Sequence, residues 1–255
     1  MNENSYFNLD RIRLLLFRQL RFNAQTLLIG YGAVAGFIVF VLSIKLVFTQ
    51  SSLPSGAFLG LAMPFFFAGG YVFTSTIFSE LRTPQRGYLL LTLPASTIEK
   101  LLVSWFISSI VYIIVSVAVL YLMNFLLIGV YSAVSSNSLP VVNFFEPHML
   151  KMYAIYLVTQ PIFILGAIYF RSANFLKTIL SLFLLTIIVV IYTSIVSKII
   201  FIQNFQSLNF GNENAISWVN FFGHTFPTIM KVLFWGFLGP FFLLVSYFRL
   251  KERQV

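Results

Sequence analysis

The sequence contains no cysteine, so it can build no disulfide, thiolate metal site or cysteine nucleophile. Charge is scarce as well: 9% of residues are Asp, Glu, Lys or Arg, against about 25% in an ordinary soluble chain. Only seven residues are acidic. Beyond residue 26 these are Glu80, Glu99, Glu146, Glu213 and Glu252, and each falls in a predicted loop or tail. No carboxylate is expected at mid-membrane depth, where proton- or sodium-coupled carriers usually keep ionisable groups. A secondary transporter is disfavoured, although backbone carbonyls at broken helices remain a way to bind sodium. His148 and His224 lie in predicted outer loops with no acidic partner at ligand spacing and read as solvated loop residues. No HExxH, GxSxG or GxxxxGK[ST] pattern occurs. Neither a catalytic residue nor a metal site is expected, and the chain has no ATPase motif of its own.

What the sequence has in abundance is apolar surface. Of its 255 residues 59% are hydrophobic, and mean hydropathy is +0.91, which excludes a water-soluble globule. Apolar stretches recur at Leu27 to Phe48, Gly56 to Ser79, Leu102 to Val130, Met149 to Phe170, Thr178 to Phe201 and Phe226 to Leu250. Each is long enough to cross a hydrocarbon core about 30 Å thick. Residues 1–26 are too polar for a signal peptide, so the first stretch reads as a retained span. The expected fold is an all-α polytopic membrane protein with an N-terminal interfacial helix over 1–26 and a six-helix transmembrane domain over 27–250. A short tail follows over 251–255.

The net charge of +9 would suggest a nucleic-acid partner in a soluble chain. Here its distribution gives the orientation instead. Arg11, Arg13, Arg18, Arg21, Arg82, Arg86, Lys100, Arg171, Lys177, Arg249, Lys251 and Arg253 all flank spans on one side. The opposite loops hold none, and Lys45, Lys151, Lys198 and Lys231 lie in or beside spans near their other ends. The positive-inside rule then places both termini in the cytoplasm.

Leu9, Ile12, Leu16 and Leu20 share one side of a helix opposite Arg11, Arg18 and Arg21, which suits a helix in the membrane interface; a frayed cytoplasmic extension is the alternative. Gly32 with Gly36 and Gly56 with Gly60 each set glycines four apart, for packing within the chain or for a dimer seam along span 1. Pro64, Pro161 and Pro240 should kink spans 2, 4 and 6 or free a carbonyl. The outer segment 203–225, with Trp218, Phe221, Phe222 and Phe226, reads as an interfacial anchor or a re-entrant pair. The outer lysines read as snorkelling side chains or as a cationic ring for an anionic substrate, with Lys198 and Lys231 the candidates.

The most informative stretch is the loop over 80–100. Ser96 and Glu99 form an S-x-x-E capping box, and Pro94 just upstream keeps the chain extended before the helix start. An apolar run from Tyr88 to Leu93 leads into it. A short helix on the membrane surface and a surface for a partner protein are both open readings. Gly87, Leu89 to Leu91, the step Leu93-Pro94-Ala95-Ser96 and the helix opening at Ser96, with the six-span layout, resemble the permease subunits of ABC-2 type ATP-binding-cassette transporters. Tyr88 stands where a threonine is commoner, and fewer residues separate glycine from proline.

The resemblance implies that Gly87, Tyr88, Leu93, Pro94, Ala95, Ser96, Glu99 and Lys100 couple to a separate nucleotide-binding subunit, which would carry the ATP and magnesium. It also implies a second permease subunit, in a homo- or heterodimer, in a bacterial cytoplasmic membrane. The expected function is ATP-driven export of an amphipathic lipid, peptide, glycan or drug. The alternative is a non-transporting membrane scaffold or immunity protein.

Overall fold

A computed structural model describes residues 8–49, 56–82, 95–134, 141–205 and 221–253. Among them no strand occurs, because a membrane offers no water to satisfy an open sheet edge and a helix satisfies its own backbone. Six helices are long and apolar enough to cross a membrane. The elements are α1 (Leu9–Thr49), α2 (Ala57–Thr76), a 3₁₀ turn (Ser79–Arg82), α3 (Thr97–Phe106), α4 (Tyr112–Val134), α5 (Pro147–Tyr169), α6 (Asn174–Phe205), α7 (Phe226–Val232) and α8 (Gly239–Glu252). Two of the six spans are composite. A π turn at Ile107–Val111 joins α3 to α4, and one at Leu233–Leu238 joins α7 to α8.

Residues 9–26, the described part of the expected interfacial helix, are not set off as their own helix. From Leu9 to Thr49 the helix is unbroken, since no proline occurs before Pro54 and nothing around Phe22 to Leu27 stops it. Its 41 residues extend about 60 Å, roughly twice the hydrocarbon thickness. The expected apolar stripe also has a different use: Ile12, Leu15, Leu16 and Leu20 pack against the buried core, while Leu9 is exposed.

Two cores hold the bundle. One, rich in aromatics, gathers Phe66, Phe73, Phe78, Leu101, Tyr112, Tyr153, Tyr156, Ile168 and Leu250. The other, at the opposite end, gathers Ile38, Leu42, Phe58, Ala62, Leu120, Met123 and Phe144. The first draws the starts of α1 and α3 together with the ends of α2, α5 and α8. Asn8 therefore lies at the same end of the bundle as Arg253, whose Nη2 donates to the Tyr169 carbonyl at 3.2 Å. That end also carries Arg18, Lys100, Arg171, Lys177 and Arg249.

Close helix approach does not occur at the glycines expected to provide it. A Cβ added at Gly32, Gly36, Gly56 or Gly60 would meet nothing within 4 Å, so packing among the described residues does not explain those pairs. At Gly70 it would come within 2.5 Å of the Tyr156 ring and 2.8 Å of Tyr112, and at Gly166 it would overlap Thr178 Oγ1. Those glycines admit neighbouring side chains to the helix backbone. Pro64 and Pro161 lie inside continuous helices, whereas Pro240 sits where the π turn at Leu233–Leu238 returns to α geometry. Most of the outer segment 203–225, including Trp218, lies outside the described residues.

Candidate functional site

The best-defined polar constellation sits where α3 begins. The capping box forms in full: Ser96 Oγ accepts from the Glu99 backbone N–H at 3.2 Å, and Glu99 Oε2 accepts from the Ser96 N–H at 2.8 Å. The second carboxylate oxygen is used at long range, where Glu99 Oε1 accepts from the Asn8 backbone N–H at 2.8 Å. Asn8 immediately precedes α1, and its own Oδ1 accepts from the Asp10 N–H. One fully buried carboxylate thus closes the N-terminal ends of two helices. Unsatisfied N–H groups and the positive end of each helix dipole favour a negative charge there.

Two further contacts tie α1 to the same end. Gln19 Nε2 donates to Ser104 Oγ at 3.0 Å, and Arg18 pairs with Glu80 of the 3₁₀ turn at 2.7 Å. The starts of α1 and α3 and the end of α2 are thereby fastened at one level. This is also where the chain leaves for residues 83–94.

A second polar network lies deeper, around the first π turn. A π turn lengthens the hydrogen-bonded loop and leaves a carbonyl without its helical partner. Here the Ser108 carbonyl accepts from Tyr156 Oη at 2.7 Å, Ser108 Oγ accepts from Gln160 Nε2, and Ser108 Oγ donates to the Ser104 carbonyl at 2.7 Å. Tyr112 Oη donates to the Phe66 carbonyl at 2.8 Å, a contact that Gly69 and Gly70 leave room for. Tyr71 bonds Thr159 at 2.7 Å, and Tyr31 bonds Ser116 at 2.5 Å. The rings also touch: Tyr71 and Phe163 stack with centroids 4.2 Å apart, Tyr112 is tilted against Tyr156, and Phe66 meets Tyr156 edge-on. All these groups are neutral, which lets them lie at membrane depth where a charge would be expensive. The Gln160 Oε1 and Ser75 Oγ atoms are buried without a hydrogen-bond partner among the described residues.

The nominated loop residues divide sharply. Gly87, Tyr88, Leu93 and Pro94 lie outside the described residues. Ala95 and Ser96 are half-buried, while Glu99 and Lys100 are buried in the bundle. Glu99 therefore acts as a joint within the chain. Lys198 and Lys231 are exposed on α6 and α7, and neither belongs to the two networks. Among the described residues no group of three or more His, Asp or Glu side chains could hold a metal ion. Local spacing marked the Ser96–Glu99 box but could not mark Asn8, 91 positions away. The tyrosine network was missed because attention to carboxylates overlooks neutral donors.

At the basic end, burial and then the neighbouring Arg171 and Arg249 push the Arg253 guanidinium below its ordinary value. Its ordinary value is so high that the group stays charged at neutral pH. Comparison with models of protein families, with curated proteins and with solved structures gives no match for this chain.

Proposed function

We propose that this chain is the membrane-spanning permease subunit of an ATP-driven exporter similar to the ABC-2 type. In this reading it works with a second permease subunit and with separate nucleotide-binding subunits, in a bacterial cytoplasmic membrane with both termini inside. The observation that supports it best is the Glu99 joint. The segment 83–94 enters a helix start whose capping carboxylate also holds α1, so a force on that segment would act on α1 and α3 together. Export by rigid-body rocking of spans would use such a shared attachment to move helices together. The open faces around Gly32 and Gly36 suit a second subunit, and the substrate would be amphipathic.

Purification of the full chain with the products of its neighbouring reading frames tests the proposal. An ATPase should co-purify, and Tyr88→Asp with Leu93→Asp should release it while the chain stays inserted and folded. If no ATPase binds and wild-type transport survives ATP depletion, the proposal fails. Binding of a toxic peptide without ATP would favour the scaffold or immunity reading instead.

A further inference from the structure

Between α1, α2 and α4 runs an apolar groove of about 200 Å³. It extends from Thr26 to Ile38 along α1 and from Ala62 to Thr76 along α2. The α1 stretch, 13 residues with a rise of 1.5 Å between neighbours, is roughly 18 Å long. One leaflet of a hydrocarbon core about 30 Å thick is roughly 15 Å deep. The groove therefore matches a single leaflet, and it starts at the end of the bundle that carries the basic residues. Gly30 and Val72 at its edge are exposed, so it opens sideways. A helix, about 10 Å across with side chains, is too thick for this space.

Next along α1 and α2 from its basic end lies a second, smaller cleft. Phe22 lies one helical turn before Thr26, and Ile77 directly follows Thr76; both line that cleft with Arg18, Glu80 and Lys100. Glu80 engages one nitrogen of the Arg18 guanidinium, whose five donors suit a further oxyanion. The 42% exposure of the Arg18 side chain leaves that face accessible. An apolar slot one leaflet deep, ending at cationic side chains, has the chemistry of an anionic phospholipid.

We propose that the groove holds one acyl chain of a resident anionic phospholipid from the leaflet at the basic end, with its phosphate at Arg18. Apolar area alone gives little preference, because the surrounding lipid is as apolar as the groove. Selectivity therefore comes from the headgroup charge, with shape fixing the chain. The proposal stands whether or not the protein is an exporter.

Native mass spectrometry of the full chain in mild detergent, titrated with phosphatidylglycerol or phosphatidylcholine, tests this. Phosphatidylglycerol should bind several-fold more tightly, and Arg18→Gln should remove most of that preference. Gly30→Trp and Val72→Trp should abolish the adduct. An added Cβ at Gly30 meets nothing within 4 Å and Val72 is exposed; thermal unfolding of both variants at the wild-type temperature shows that the core is intact. In the wild type, phosphatidylglycerol carrying a diazirine on its chain should label peptides covering 26–38, 62–76 and 112–123. Equal retention of the two lipids, adducts unaffected by both tryptophans, labelling confined to α6, or a second copy of the chain seated along this face would each overturn it.

Discussion

Helix α5 buries half of its span-forming window, whereas α6, which follows it directly, buries none of its own. Yet α6 is the more apolar, with mean hydropathy 2.7 against 1.6. In water the order would be reversed. In a membrane the solvent is itself apolar, so helices associate through small residues and polar contacts. Helix α5 offers Tyr153, Tyr156, Thr159, Gln160 and Gly166 to its neighbours. The hydroxyls of Ser181, Thr186, Thr193 and Ser194 on α6 turn back to their own helix carbonyls. Helix α6 is fastened near its start, where Thr178 enters the space over Gly166 and Asn174 Nδ2 donates to the Ala167 carbonyl at 3.0 Å.

The contrast is broken most strongly by filling the bundle. Gly70→Leu drives side-chain atoms into the Tyr156 and Tyr112 rings and should cost about 3 kcal/mol. Leu184→Ala on exposed α6 should change stability by less than about 0.5 kcal/mol. Thermal unfolding of both variants in the same detergent measures the difference, and equal losses would contradict the contrast. Next comes Glu99→Ala, which leaves the Asn8 and Ser96 N–H groups without their acceptor. A loss of about 2 kcal/mol is expected, with faster amide exchange at the start of α1 as well as at α3; exchange changing at α3 alone would show that the long-range bond is not made. Smaller than the Glu99 loss is that of Tyr156→Phe, which removes the donor to the Ser108 carbonyl and should cost about 1 kcal/mol. Its fingerprint is faster exchange confined to the π turn, and unchanged exchange there would sharpen the comparison by assigning α5 packing to shape alone.

The number of spans and the helix start at Ser96 were legible because both are local. Span existence needs only about 20 apolar residues in a row, and a capping box needs four. The continuity of α1 was misread because a change of polarity near residue 26 resembles a boundary, although polarity does not interrupt backbone hydrogen bonding. The glycine pairs misled for a related reason: spacing says which helix face is small, not what stands opposite it. Gly70 and Gly166 show close approach only because Tyr156 and Thr178 come from distant parts of the chain. The joint at Glu99 needs Asn8, and no local pattern connects the two.

The Asn8–Glu99 bond also bears on how the protein is made. Its two ends are 91 positions apart in the chain, and synthesis proceeds at about 5–20 residues per second, so they emerge roughly 5 to 20 s apart. During that interval the Asn8 side chain can already cap α1 at the Asp10 N–H, but the Asn8 backbone N–H has no acceptor until Glu99 follows. The carboxylate is thus a late clasp on the earliest element, and a chain truncated before Glu99 would keep the Asn8 side-chain cap on α1 while leaving the Asn8 backbone N–H without its acceptor.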